Sequence, residues 1–360
     1  MRRNNIRKTE ALIMAFALSA SLLLTGCGNS TGSKNTASNN ASIVSSSNSV
    51  DNNNGSSGNK NTNGDSVNEN NSTIDEAGIN HDYPVMLFSY DKNDTNYEEP
   101  EAFNSEHLGG NYGEIEKIEY YSPTTNATRN ANVYLPYGYD KSKSYPVVYL
   151  LHGMSGTYED YRVLGARPTA QNIVYEYNRN DMILVSFTVF TDVDRKQESD
   201  YGFSDLTARY DACENDVINA LIPYINSHYS TKIGREYTGI AGYSLGGREA
   251  LYLCFAHPDI FGYVGAFEPV GGVVNTGSGE TSLYGNRGYL LPELVKESGE
   301  APLLTLIVTG DEDPYCRVSS ENYSRYMTEH SIDHIFYYRH GGHEAGVWNN
   351  GLYNFLRRIF

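Results

Sequence analysis

Six residues, Gly242-Tyr243-Ser244-Leu245-Gly246-Gly247, constrain this chain more than any other feature. They follow the strand-like run 237–241 and precede a segment from Arg248 to Phe255 in which Leu251 and Phe255 share one helical face; His257-Pro258 then stops the helix. A serine lifted over the end of a strand on a tight turn into a helix sits in strained backbone, and its neighbours must be small for the turn to close. Gly242 and Gly246 supply that room. The pattern predicts a strand–turn–helix elbow with Ser244 raised at its apex as a nucleophile.

A serine nucleophile needs a base, and the base needs an orienting carboxylate; on sheets with this elbow the three occur in chain order Ser, Asp/Glu, His. The apolar run 303–309 reads as a buried strand that opens into Gly310-Asp311-Glu312-Asp313-Pro314, so carboxylates lie on the loop at its C-terminal end. Spacing alone leaves Asp311, Glu312 and Asp313 open as the acid. The run 335–338 reads as another strand, and the loop Arg339-His340-Gly341-Gly342-His343-Glu344 after it offers His343 as the base. His340 and His334 read as surface or core histidines. Trp348, five residues after His343, packs under the base loop or lines an acyl pocket, and packing is the simpler reading.

An oxyanion formed at the serine needs hydrogen-bond donors, and the N–H of Leu245 is the first. The strand-like run 145–151 leads into His152-Gly153-Met154-Ser155-Gly156. This stretch resembles the His-Gly oxyanion loop of esterases, which makes the N–H of Met154 the second donor. His152 reads as a prop for that loop, since the base comes last in the order.

Strand-like runs at 115–121, 132–135, 145–151, 182–187, 237–241, 262–267, 303–309 and 335–338 alternate with helical ones, notably 211–229, where Val217, Leu221 and Ile225 recur every four residues. Such alternation predicts an α/β fold with a mainly parallel sheet covered by helices on both faces, and together with the elbow and the Ser, Asp/Glu, His order it resembles an α/β-hydrolase, occupying residues 81–360 as one domain.

Ahead of that domain, basic Met1-Arg2-Arg3 and Arg7-Lys8, an apolar stretch from Ala11 to Leu24, and Leu24-Thr25-Gly26-Cys27 read as a bacterial lipoprotein signal over 1–27. Lipidation at Cys27 would tether the chain at the bacterial cell surface, outside the cytoplasmic membrane, by acyl chains alone. Residues 28–80 are rich in Asn, Ser and Gly and too poor in apolar side chains to offset ordering entropy, which predicts a disordered leash. The formal charge of −17 argues against nucleic acid as a partner and suits a neutral polysaccharide. Apart from Cys27, the chain carries Cys213, Cys254 and Cys316, enough for one internal disulfide at most and without metal-site spacing. No cofactor and no metal are expected.

Five segments together, Val133-Tyr134-Leu135-Pro136-Tyr137-Gly138-Tyr139, Tyr149-Leu150-Leu151-His152-Gly153, Leu221-Ile222-Pro223-Tyr224-Ile225, Ala241 to Gly247 and Gly341 to Trp348, resemble carbohydrate esterase family one of the esterase D-like α/β-hydrolases. The likeness runs from about Gly113 to the C-terminus. It implies Ser244 as nucleophile, Asp313 as acid and His343 as base. The acid loop departs from the family pattern, with Gly310-Asp311-Glu312-Asp313 where relatives often show Gly-Thr-x-Asp. The implied activity is a serine esterase acting on acylated plant cell-wall polysaccharide: a feruloyl esterase releasing ferulate from arabinoxylan, or alternatively an acetylxylan esterase. An acyltransferase on the same fold, a formylglutathione hydrolase and a non-catalytic glycan-binding lipoprotein are the competing readings, the second opposed by the lipobox and the third by the complete Ser/Asp/His set.

Overall fold

The computed structural model describes residues 42–44, 85, 90–194, 196–274, 295 and 298–360. Cys27 and the signal segment, nearly all of the segment read as a leash, and positions 275–294 lie outside the described residues. Every strand read from the sequence is present: β2 (Ile115–Ser122), β3 (Ala127–Tyr134), β4 (Val147–Leu151), β5 (Ile183–Phe187), β6 (Thr238–Tyr243), β7 (Tyr263–Phe267), β8 (Leu304–Gly310) and β9 (His334–Arg339). A three-residue strand, β1 (Ser42–Val44), lies within the segment read as a leash and pairs antiparallel with β9.

The sheet order is β1-β9-β8-β7-β6-β4-β5-β3-β2. Strands β5, β4, β6, β7, β8 and β9 run parallel, while β2 and β3 form an antiparallel edge. The chemistry of each region follows its place. Strands β4 to β8 are buried on both faces and read as near-continuous apolar runs, with Ser186, Thr238, Thr305 and Thr309 as their small polar members. Edge strand β2 alternates inward Ile118, Tyr120 and Ser122 with exposed residues. Strand β3 starts five residues before the apolar signal at 132, because the polar stretch from Ala127 pairs residue for residue with β2; Asn126, at a left-handed φ of 47°, closes that hairpin.

Alternate strand residues feed two cores. On one face Tyr149, Leu151, Ile240 and Val264 pack with Val217, Leu221 and Ile225 and with helices Leu245–Ala256 and Arg317–Glu329. On the other, Val148, Leu150, Leu306 and Val308 pack with helices Ala166–Tyr177 and Ala345–Leu356. The helix read over 211–229 forms as the consecutive segments Cys213–Asp216, Val217–Leu221 and Ile222–His228, with the middle segment wound as a π-turn. Pro223 lacks the N–H that an α-turn would use, and the wider turn accommodates the gap.

From β4 the chain moves one way along the sheet to β5 and then returns to the opposite side as β6. That reversal opens a crevice beyond the C-terminal ends of β4 and β6, where open α/β sheets bind ligands. The loops carrying His152, Ser244, Asp313 and His343 all leave the sheet at this end, after β4, β6, β8 and β9.

Candidate active site

Ser244 occupies the apex of the elbow with φ 56° and ψ −123°, between the last residue of β6 and the first of the helix Leu245–Ala256. Non-glycine backbone in this region costs about 1–3 kcal/mol and must be held by its surroundings. Its N–H donates to the Phe267 carbonyl at 2.9 Å, and its own carbonyl accepts the N–H of Val270 at 3.2 Å. The motif glycines are explained by contact. A Cβ on Gly242 would lie 2.4 Å from the Gly246 carbonyl, and one on Gly246 would lie 2.3 Å from the Leu151 oxygen. Ser244 is 2% exposed, and its Oγ makes no hydrogen bond among the described residues. The serine–imidazole bond is therefore open here, as it often is in unliganded hydrolases.

Of the three carboxylates after β8, only Asp313 turns to the base. His343 Nδ1–H donates to Asp313 Oδ2 at 3.0 Å, and the Asp313 side chain is fully buried. Asp313 Oδ1 accepts the N–H groups of Tyr315 and Cys316 at 2.7 and 3.0 Å. Burial opposes the charge on Asp313, but the hydrogen bond and charge of His343 and these two N–H donors outweigh it and hold its pKa below the usual carboxylate value. Asp311 instead faces exposed His340 and the Gly341 N–H, and Glu312 points to solvent. We expect Asp313→Asn to lower kcat by about a hundredfold or more and Asp311→Asn by less than about threefold, measured on one soluble ester. Equal losses would mean that the loop folds differently.

The loop after β4 packs against the serine, since a Cβ on Gly153 would lie 2.8 Å from Ser244 Cβ. His152 serves as its prop. It is fully buried, its Nδ1–H donates to the Gly153 carbonyl at 2.7 Å, and its Nε2 accepts the Val189 N–H at 2.8 Å. Burial pushes its pKa down, which keeps the ring neutral. The Gly153 carbonyl also accepts Tyr210 Oη–H at 2.9 Å. Because the peptide is planar and trans, pinning this carbonyl turns the Met154 N–H the opposite way. Leu245 is the first residue of its helix, where an N–H has no intrahelical acceptor and the helix dipole favours negative charge.

Trp348 packs rather than standing free. Its ring stacks on Tyr243 at 4.1 Å and meets the His343 ring edge-on at 5.5 Å. Tyr243 in turn donates from Oη to Asp160 Oδ2 at 2.5 Å, tying the elbow to the turn beyond the Gly153 loop. The sulfur of Cys316 and donor atoms of Asp313 and His343 lie within 4.8 Å of one another, so a buried thiol borders the acid–base pair although the sequence showed no metal-like spacing. Cys213, Cys254 and Cys316 are all buried and form no disulfide.

Two carboxylates at the site were missed in the sequence. Glu198 Oε2 accepts the Ser155 N–H at 2.8 Å, and its Oε1 lies 2.8 Å from Tyr210 Oη, sharing that hydroxyl's single proton with the Gly153 carbonyl and bracing the loop that holds Met154. Glu268 follows β7 and reaches His343 Nδ1 at 3.4 Å. Position at the C-terminal end of the strand next to the elbow strand was the available signal for Glu268; Glu198 lies in a stretch with no readable pattern.

Comparison with known proteins finds likenesses to esterases. Residues 122–359 match the Esterase family ("Putative esterase"). The CE1 ferulic acid esterase of the anaerobic fungus Anaeromyces mucronatus is 29% identical with a TM-score of 0.65, and the match covers 73% of this chain and 97% of that one. A second structure of that enzyme holds ferulic acid. An endo-1,4-β-xylanase/feruloyl esterase from Xylanibacter ruminicola is 31% identical over 163 residues, which is 43% of this chain. The chain spans only 21% of the length of that relative and 13% of an endo-1,4-β-xylanase Y from Acetivibrio thermocellus. The resemblance to carbohydrate esterase family one and the α/β-hydrolase fold are borne out.

Proposed function

The chain belongs to the Esterase family, and from that premise we propose that it is a serine hydrolase that removes feruloyl groups from plant cell-wall arabinoxylan. The observation that carries this is the buried Asp313–His343 hydrogen bond at the strand ends that also carry Ser244. The likeness to ferulic acid esterases supports the feruloyl substrate.

In this mechanism His343 Nε2 takes the Ser244 hydroxyl proton as Oγ attacks the ester carbonyl carbon, and Asp313 stabilises the resulting imidazolium. The Leu245 and Met154 N–H groups hold the oxyanion. Collapse breaks the bond to the sugar oxygen, which leaves with the proton from His343. Water, deprotonated by the same imidazole, then attacks the acyl-enzyme and releases the carboxylic acid and free Ser244. Every proton gained by His343 is returned in the same half-reaction.

The lipobox ending at Cys27 supports a further part of the proposal, that acyl chains tether the enzyme outside the cytoplasmic membrane, where polymeric substrate is met. Incubation with feruloylated arabinoxylan and with acetylated xylan tests the substrate. Ferulate release is the expected result. Acetate release alone would assign acetylxylan esterase activity, transfer of the acyl group to an added sugar would assign an acyltransferase, and glycan binding without turnover of either ester would remove the esterase proposal.

A further inference from the structure

We propose that Glu268 is a second carboxylate partner of the His343 imidazole, a positioning residue that acts beside Asp313. The proposal rests on the serine-hydrolase reading of the site. It starts from geometry: Nδ1 of His343 lies 3.0 Å from Asp313 Oδ2 and 3.4 Å from Glu268 Oε2, and both carboxylate side chains are fully buried. A buried carboxylate at this distance from an imidazole is not a solvated bystander.

The surroundings fix Glu268 in place. Its Oε1 accepts the Gly310 N–H at 3.0 Å, and its Oε2 accepts Trp348 Nε1–H at 2.7 Å and the Glu344 N–H at 3.3 Å. One side chain thus joins the start of the acid loop, the base loop and the helix that follows it. The backbone of Glu268 is left-handed, with φ 50°, and its N–H donates to the Val308 carbonyl at 2.8 Å. Strain of this kind survives only where the surrounding structure over-determines it, and it concentrates at functional sites. Glu268 is also one residue beyond Phe267, whose carbonyl holds the N–H of Ser244. The strained nucleophile and the strained carboxylate are therefore anchored at the ends of adjacent strands.

Charge balance decides what the second carboxylate does. Two adjacent buried carboxylates do not both ionise cheaply. Burial, and after it the negative charge of Asp313, push Glu268 well above the usual carboxylate range, while Asp313 is held low by His343. In the resting site Asp313 carries the charge and Glu268 holds its proton. When Asp313 is made neutral, its repulsion is lost and burial alone opposes the charge, so that beside the protonated imidazole Glu268 can ionise and accept from Nδ1 in its stead.

The test measures kcat and KM on methyl ferulate for the parent protein, Glu268→Gln, Asp313→Asn and the double variant, with Ser244→Ala as the floor. Glutamine keeps the volume and an acceptor oxygen for Trp348. We expect Glu268→Gln to lower kcat less than about tenfold in the parent and about a hundredfold in the Asp313→Asn background, with KM within about twofold throughout. The two steps together would approach the roughly 10⁴-fold loss of a triad without its acid. Equal factors in both backgrounds would show a structural brace and overturn the proposal, as would an Asp313→Asn variant already at the floor. An independent reading needs only folded protein: the low-field proton resonance of Nδ1 in the protonated imidazole should persist in Asp313→Asn and vanish in the double variant. Its absence from Asp313→Asn would also overturn the role. Retained turnover in Ser244→Ala would instead defeat the serine-hydrolase reading, and the resonance would still report on Glu268.

Discussion

Ser244→Ala should reduce ester hydrolysis by about 10⁴-fold or more while leaving the fold and its thermal transition nearly unchanged. The hydroxyl is the only group removed. It makes no hydrogen bond among the described residues, so its loss leaves no donor or acceptor unpaired. The strained turn relies on contacts that alanine retains, namely the N–H of Ser244 to the Phe267 carbonyl and its carbonyl to Val270. KM should change little, because the oxyanion donors and the loop after β4 remain. The residual rate should be what oxyanion binding supplies alone. A variant with a rate within tenfold of the parent would show that another group is the nucleophile.

Gly246→Ala should be severely damaging, because the added Cβ meets backbone next to the nucleophile. A Cβ there would lie 2.3 Å from the Leu151 oxygen, 2.5 Å from the His152 oxygen and 2.6 Å from the Leu151 carbonyl carbon. All three belong to backbone. Leu151 is locked in the sheet, paired on both sides with β5 and β6, so the neighbour cannot yield without breaking the ladder or displacing the Gly153 loop. Overpacking against fixed backbone costs about 3 kcal/mol or more at such sites, and soluble yield should fall with activity. Gly346→Ala is the matched control. Gly346 lies in the helix Ala345–Leu356 with nothing within 4 Å of an added Cβ, and alanine there should leave stability equal or raise it by up to about 1 kcal/mol. Denaturant melts of the two variants separate steric loss from a general intolerance of glycine replacement.

These effects explain why so much of the fold was legible beforehand. The parallel strands are buried on both faces, so they announce themselves as apolar runs, and the elbow demands small residues at fixed offsets from its serine. Where pairing overrode local composition, the signal failed. The first half of β3 is polar because only its register with β2 makes it a strand. In the acid loop, three neighbouring carboxylates differ only in how the turn points them; Asp311 is taken by His340 and Gly341, and that geometry lies beyond spacing arguments.

Glu268 was illegible for a related reason. A single acidic residue after an apolar strand resembles any solvated strand end. Its meaning comes from the order of strands in space, which puts β7 between the elbow strand β6 and the acid strand β8. Only there does its carboxylate reach Trp348, Gly310 and His343 together. Glu198 was hidden too, because it acts across the fold on the Ser155 N–H from a stretch with no periodicity. The chain's chemistry was written in local motifs, whereas the groups that orient those motifs come from packing.

The central claim is that Ser244 is the group acylated during turnover, and covalent labelling tests it most directly. The purified protein is treated with a fluorophosphonate ester, and the adduct is mapped by peptide mass spectrometry while hydrolysis of methyl ferulate is followed in parallel. The expected result is one phosphonate per chain, on Ser244, with activity falling in step with labelling. Activity lost with the label on another residue, or full labelling of Ser244 with activity retained, would contradict it.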